Sequence, residues 1–379
     1  MVVAIWAYLL IGRGGFWLTR QRDDGAVSEE GPWPAIVAII PARDEAETVG
    51  RTITSLLRQD YPGEFSILLV DDQSRDGTAE IARAAAASLG EPARLTVLSG
   101  RALPAGWTGK LWAQHQGVEA ALALSRPPVY LLLTDADIAY AAHALKALTE
   151  RARAGGYVLT SLMAKLRCTT LAERFFIPAF IFFFQMLYPF AWANDPRRET
   201  AAAAGGCMLV RCDALARTGG MAAIRDALID DCTLAKKLKA YGPIWIGLTR
   251  NVSSIRAYPA LADIRRMVSR TAYAQLRYSP LLLAGTVIGL ALTFIAPVML
   301  ALFAAGAARL LGAAAWILMA LALQPMLRFY RISPLWGVAL PAIAATYMAF
   351  TVDSAYQHWR GRSGMWKGRA QGNLQSKVS

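Results

Sequence analysis

Three uncharged apolar runs, 279–308, 310–327 and 332–352, crowd the C-terminal part of the chain, separated only by Arg309 and by Arg328 with Arg331. Each is close to the roughly 20 residues a helix needs to cross about 30 Å of hydrocarbon. Lipid offers no partner for backbone N–H and C=O groups, so such runs must fold as helices that pair those groups internally. We read 279–353 as transmembrane helices. The first 20 residues are apolar but broken by Arg13. They read as an N-terminal membrane anchor or interfacial helix rather than a cleaved signal peptide, because no basic segment precedes the apolar stretch.

The chain as a whole is strongly basic: 40 Lys and Arg against 27 Asp and Glu give a formal charge of +13. Such a balance suits nucleic acid, a membrane surface or anionic small molecules. No basic low-complexity tail and no zinc-finger or RNP-like signature accompanies it, which argues against nucleic acid. The four cysteines form no CxxC pair and only three histidines are present, so a Cys/His metal cage is disfavoured. Free cysteines fit a reducing compartment, placing the polar part in the cytosol.

Beyond a charged linker at 20–33, strand and helix signals alternate. "AIVAII" (35–40), "SILLV" (66–70), "RLTVL" (94–98) and "VYLLLT" (129–134) are short apolar, β-branched runs. Between them lie helical patterns, one with Val49, Ile53, Leu56 and Leu57 on a single face and another over 110–124. Near-continuous apolar strands alternating with helices predict an α/β fold, with a mostly parallel, Rossmann-like sheet covered on both faces. "FFIPAFIFFFQMLYPFAWAN" (175–194) carries no charge. Because it separates segments that must share one side of the membrane, we read it as interfacial or re-entrant.

In open α/β sheets ligands bind beyond the carboxyl ends of the strands. Two predicted strands end there in acids, Asp71–Asp72 and Asp135-Ala-Asp137. Taken alone, each acid has capping or turn formation as its alternative; two such ends in one sheet favour a site. Carboxylate oxygens suit Mg2+ or Mn2+, which complete their shells with substrate phosphates.

The segments "PARDEAETVGRTITSLLRQDYP" (41–62), "VDDQSRDGT" (70–78), Gly109–Lys110, the Asp135/Asp137 pair, "GGCMLVR" (205–211) and "IDDCTLAKKL" (229–238) follow one another in order. Together they resemble family 2 glycosyltransferases over 34–258. Within that family the hopanoid-biosynthesis-associated and ceramide-glucosyltransferase-like membrane enzymes are the most similar, through "GKLWAQHQG", "SLMAKLRC" and "RTAYAQLRYSP". The resemblance implies a GT-A domain over 33–255, a nucleotide-diphosphate sugar donor (a UDP-sugar foremost) and inversion at the anomeric carbon. It further implies that Pro41, Arg43, Glu45 and Asp72 line the nucleoside pocket, that Lys110 meets the diphosphate, and that Asp135 and Asp137 hold a divalent metal, with Asp137 the direct ligand. Asp231 is the implied base, and Asp230 stands where the family carries glutamate.

Inverting transfer needs a carboxylate opposite the leaving group to take the acceptor's proton; helix capping is the competing reading for Asp230 and Asp231. Processive relatives carry Gln-x-x-Arg-Trp before their membrane helices, whereas this chain has Arg277–Tyr278 with Gln275 too close. That disfavours a polysaccharide synthase and favours transfer of a single sugar to a lipid acceptor. The basic segment 256–278 reads as an amphipathic interfacial helix on anionic lipid; Arg270 and Arg277 are also candidates to reach the diphosphate. The expected setting is the cell inner membrane, with the catalytic domain cytosolic where nucleotide-sugars are made. The positive-inside rule also places the basic tail 354–379 in the cytosol, which conflicts with three spans that start there. A nucleotide-sugar binder without turnover is the rival reading, and the presence of Asp231 argues against it.

Overall fold

A computed structural model describes residues 1–25 and 32–361, and the backbone of 365–366 and 369–370. Residues 26–31 of the linker and most of the basic tail lie outside the described residues. The chain divides into two compact units.

One unit takes in Gln21–Leu166 and Trp192–Arg256. It is built on eight strands: β1 Ile36–Ala42, β2 Phe65–Asp71, β3 Leu95–Ser99, β4 Tyr130–Leu133, β5 Ile138–Tyr140, β6 Leu159–Lys165, β7 Met208–Arg211 and β8 Ile244–Ser254. Their spatial order is β3-β2-β1-β4-β7-β6-β8-β5. The pairs β3–β2, β2–β1, β1–β4 and β6–β8 are parallel, whereas β7 and β5 run antiparallel to their neighbours.

All seven residues of β1 are buried, and their pleat divides them between two cores, since successive strand side chains point to opposite faces. Ile36, Ala38 and Ile40 join Val49, Ile53 and Leu56 of the helix Val49–Leu57. Val37 and Ile39 join Leu111 and Val118 of the helix Gly109–Leu122. This two-sided burial is why the strands read as continuous apolar runs rather than alternating ones. The second helix lies close on the sheet: a Cβ on Gly117 would stand 2.6 Å from Ile39 Cγ2. Only glycine fits there.

Register fixes which residues meet at the strand ends. Ala42 lies opposite Asp71, and Ile39 opposite Leu133. The chain therefore leaves β1 into Arg43, β2 into Asp72 and β4 into Thr134–Asp135 along one edge of the sheet.

The other unit comprises Met1–Arg20, Arg167–Ala191 and the described residues of 257–364. Three of its helices are long and apolar enough to cross a membrane: Pro280–Phe303, Gly306–Tyr330 and Pro334–Trp359. They overrun the apolar runs, taking in Arg309, Arg328 and Asp353. Asp353 is not left bare, for its carboxylate accepts hydrogen bonds from Ser269 Oγ at 2.9 Å and Gln357 Nε2 at 3.2 Å. The N-terminal apolar helix Val2–Gly12 is 11 residues long, or about 16 Å at 1.5 Å per residue. That is short of a bilayer core. Its Trp6 is fully buried and donates to the carbonyl of Thr293 at 2.9 Å.

The segment expected to be interfacial folds as the helix Leu171–Leu187, with Pro178 inside it, followed by the short helix Phe190–Ala193. The basic segment forms Leu261–Ser269 and Ala272–Gln275, with Ile264 and Val268 inward and Arg265, Arg266 and Arg270 exposed. Glu173 organises this unit. Its carboxylate accepts from the N–H groups of Thr169 (2.8 Å), Thr170 (3.0 Å) and Tyr258 (2.8 Å). Burial would raise its pKa, but these donors outweigh burial and bring it from 4.5 to about 2. Glu173→Ala orphans all three donors, and a thermal melt in detergent is expected to show a loss of about 1–3 kcal/mol. A carboxyl with a depressed folded-state pKa stabilises above its unfolded value, so this contribution is present above 4.5 and fades as pH falls toward about 2.

Candidate active site

The first two strand ends are knitted together by their loops. The Asp44 N–H donates to Ser74 Oγ (3.0 Å), the Arg75 N–H to Asp44 Oδ1 (2.9 Å), the Glu45 N–H to Thr78 Oγ1 (2.9 Å) and the Ala46 N–H to Asp76 Oδ2 (3.0 Å). Asp44 and Gln73 both sit in the left-handed region, at φ 51° and 58°. Non-glycine residues held this way cost about 1–3 kcal/mol each and cluster at functional sites. Arg43 donates to the Asp72 carbonyl and lies 3.8 Å from the fully buried Asp72 carboxylate. Pro41, by contrast, is buried within β1 opposite Val70 and presents no polar group.

The third strand end carries the acids of "TDAD". Thr134 is buried, its Oγ1 donating to the Gly206 carbonyl at 2.8 Å, and the Tyr140 hydroxyl donates to Thr134 Oγ1 at 2.8 Å. These bonds tie the Asp135 turn to the Gly205–Gly206 turn, 70 residues away in sequence. Lys110 enters from the first turn of the helix Gly109–Leu122, whose N-cap Thr108 accepts from the Leu111 N–H. Its Nζ stands 3.0 Å from Asp135 Oδ1 and 3.0 Å from Asp230 Oδ2. Burial would lower the Lys110 pKa, but the two carboxylates outweigh it and hold the ammonium firmly protonated. Burial raises the Asp135 pKa, with Asp137 and Asp230 adding to the rise and Lys110 opposing it.

Asp230 and Asp231 occupy the first turn of the helix Asp230–Lys239, where the helix dipole favours anions. The N-cap position belongs to Ile229, so neither acid is spent on the usual cap. Asp231 accepts from the Gly205 N–H (3.0 Å) and the Cys232 N–H (2.7 Å). Its carboxyl is pushed up to about 6, first by burial and then by the neighbouring Asp230 charge. Gly205 leaves room for this cluster, because a Cβ there would lie 3.3 Å from Lys110 Nζ.

Asp137 faces a different cation. Arg256 Nε donates to Asp137 Oδ2 at 2.6 Å, and Arg256 Nη2 reaches Glu45 at 2.9 Å and 3.1 Å. Arg256 follows directly after β8, and the Ile255 N–H donates to the Asp137 carbonyl at 2.7 Å. The sequence reading missed this arginine. It lies 119 residues from Asp137, and only the β5–β8 pairing, Ile138 opposite Ser254, brings it there.

Arg270 and Arg277 belong to the helical unit. Arg270 ends the helix Leu261–Ser269, while Arg277 and Tyr278 both have positive φ, at 52° and 55°. Tyr278 stacks on His358 at 4.3 Å.

Among the described residues no group of three or more His, Cys, Asp or Glu side chains is gathered as a metal cage. The donors at hand are the two aspartates of one turn, each already attended by a cationic side chain. That set fits a hard divalent ion completed by water and phosphate oxygens, the habit of Mg2+, and does not fit an all-protein cage.

Residues 37–219 match the family described as Glycosyl transferase family 2. Glycosyltransferase AglE of Haloferax volcanii is 41% identical over 51 residues, 13% of this chain and 17% of that protein, so the match spans about a sixth of the relative's length. Among solved structures, the mannosyltransferase PcManGT from Pyrobaculum calidifontis, determined in complex with GDP-Man and Mn2+, is similar at 18% identity and a TM-score of 0.53. The superposition covers 95% of this chain and 99% of that one. At this identity the likeness shows the fold alone. Asp230, Asp231 and Arg256 lie beyond the matched residues and are joined to the domain by the contacts just described. Residues 37–219, just under half of the chain, are therefore similar to glycosyl transferase family 2, and the fold is of the GT-A kind with its mixed but mostly parallel sheet.

Proposed function

We propose that this chain is a membrane-bound, inverting glycosyltransferase that moves a single sugar from a nucleotide-diphosphate sugar to a hydroxyl of a lipid. The observation that carries this reading is the position of Lys110, 3.0 Å from both Asp135 and Asp230. It joins the acids implied for the leaving-group side to the pair implied for the base side in one cluster. Asp231 is then the base: two backbone N–H groups hold its carboxylate, and its raised pKa makes it a better proton acceptor while leaving it ionised at neutral pH. Asp230 positions Lys110 through their ion pair. Lys110 offers its ammonium to the departing diphosphate, stabilisation by a charge already in place. Asp135 and Asp137 would hold Mg2+ or Mn2+, which when bound supplies Lewis-acid neutralisation of the diphosphate. Arg43, Glu45 and Asp72, on the interlocked loops, would receive the nucleoside.

Support for a lipid acceptor comes from the three membrane-length helices in the same chain, which keep the enzyme at a bilayer where hydroxylated lipids are concentrated. Arg277–Tyr278 in place of Arg-Trp supports single transfer over polymer synthesis. A hopanoid or a sphingolipid-like polyol has the required chemistry, and the inner membrane with a cytosolic catalytic domain is the matching location. The test incubates detergent-solubilised protein with UDP- and GDP-sugars and extracted lipids, with and without EDTA. Mass spectrometry is expected to find one lipid heavier by one hexose or N-acetylhexosamine, and EDTA is expected to abolish the product. Full activity in EDTA contradicts the metal, and sugar chains on the lipid contradict single transfer.

A further inference from the structure

Arg256 places a guanidinium on Oδ2 of Asp137, the carboxylate read as the metal ligand. The Asp137 side chain is 13% exposed and that of Glu45 is 10% exposed. Carboxylates so withdrawn from water need a positive partner, and Arg256 supplies it to both at once: Nε to Asp137 at 2.6 Å, Nη2 to Glu45 at 2.9 Å. The contact is not an accident of a long surface side chain. The backbone bond from Ile255 to the Asp137 carbonyl, 2.7 Å, anchors the arginine's own strand to the turn that presents Asp137.

From this geometry we infer that Arg256 is a built-in placeholder cation: it occupies Asp137 in the free protein and must be displaced before a divalent ion can bind there. The inference rests on the reading of Asp137 as the metal ligand. Its consequences follow from charge alone. A divalent ion and a guanidinium compete for the Asp137 carboxylate, because both draw on its negative charge and the two cations repel. Metal binding to the free protein is therefore an exchange, weakened by whatever the Arg256 pair is worth. Charge-assisted hydrogen bonds are the stronger class. A displaced Arg256 stays near Glu45, on the loops read as the nucleoside pocket, where a bound nucleotide brings negative charge of its own. A nucleoside diphosphate gives the released guanidinium a new partner, so nucleotide and metal should each strengthen the other's binding. Arg256 is thus a positioning residue that couples the two, and it makes no bond to the reacting carbon.

The test is direct Mn2+ titration of the full-length detergent-solubilised protein, followed by the electron paramagnetic resonance signal of free Mn2+, with no nucleotide and then with UDP or GDP. Arg256→Gln is expected to bind Mn2+ about tenfold or more tightly than wild type in the absence of nucleotide. The enhancement of Mn2+ binding by nucleotide is expected to shrink in the same variant. Arg256→Lys, which keeps the charge and loses the fork, is expected to move in the same direction by less, and it serves if the glutamine variant does not fold. Unchanged or weaker Mn2+ binding in the folded variants, while Asp137→Asn abolishes binding, overturns the placeholder and leaves the metal reading intact. Mn2+ binding that Asp137→Asn does not affect overturns the metal reading, and the placeholder with it.

Discussion

Asp231→Asn is expected to fold, to retain nucleotide binding and to lose transfer by about 10²–10⁴-fold, the range that positioned acid–base groups contribute. The substitution preserves shape and removes only the capacity to take a proton. One amide oxygen can still accept from a backbone N–H, from Gly205 or from Cys232, so the turn keeps most of its support. The same carboxylate sets a pH dependence. Only its ionised form is a base, and its carboxyl is pushed up to about 6. In wild type kcat/KM is therefore expected to fall with unit slope as pH drops below about 6, and to level off above it. An unperturbed aspartate would put that limb near 4. Near-normal turnover by the purified Asn variant, or an acid limb at the unperturbed value, removes Asp231 as the base.

The parts of this chain legible in its sequence are those that local pattern determines. Ile36–Ala42 and Phe65–Asp71 had to be strands because an apolar run that short, bounded by turn residues, has little else to be. The acids following them fell at the carboxyl edge as parallel sheets require. The strands β5 to β8 escaped notice. β5 is three residues long, and β7 is an antiparallel insertion between β4 and β6, which strand–helix alternation does not anticipate. The site shows the same division. Lys110 came only from the family resemblance, whereas Asp135, Asp137, Asp230 and Asp231 stood out as charges at element ends. Arg256 did not, because nothing local distinguishes it from Arg250, six residues earlier in the same strand region. The Gly205 N–H was also hidden: a backbone donor has no letter of its own, and "GG" marks only that a close approach is possible there. The uncharged apolar run of the third membrane-length helix ends at Val352, and Asp353 follows it. Ser269 and Gln357 bond that carboxylate, and the helix continues to Trp359.

Lys110→Met should disable the protein in two separable ways. The first is chemical: losing a fixed positive charge aimed at developing negative charge commonly costs about 10²–10³ in rate. The second concerns the fold itself. Methionine keeps the apolar stem and leaves Asp135 and Asp230 facing each other with no cation between them. Removing one partner of a buried pair costs about 3–5 kcal/mol because the remaining charge is uncompensated. Here the Asp135 side chain is 35% exposed, and water screening reduces the expected loss to about 2–3 kcal/mol. The sign with pH separates this from simple mispacking. In wild type the Lys110 contribution is complete at neutral pH, since its raised pKa keeps it protonated. In the variant Asp135, already shifted upward by burial, loses the one neighbour that opposed the shift. A carboxyl whose folded pKa is raised binds its proton more tightly folded than unfolded, so acid restores stability. The gap in melting temperature between variant and wild type should therefore narrow as pH is lowered from about 8 to about 5. A gap that stays constant across that range would mean the lysine acts by packing. The Asp135–Lys110–Asp230 bridge would then no longer be the element joining the two halves of the site.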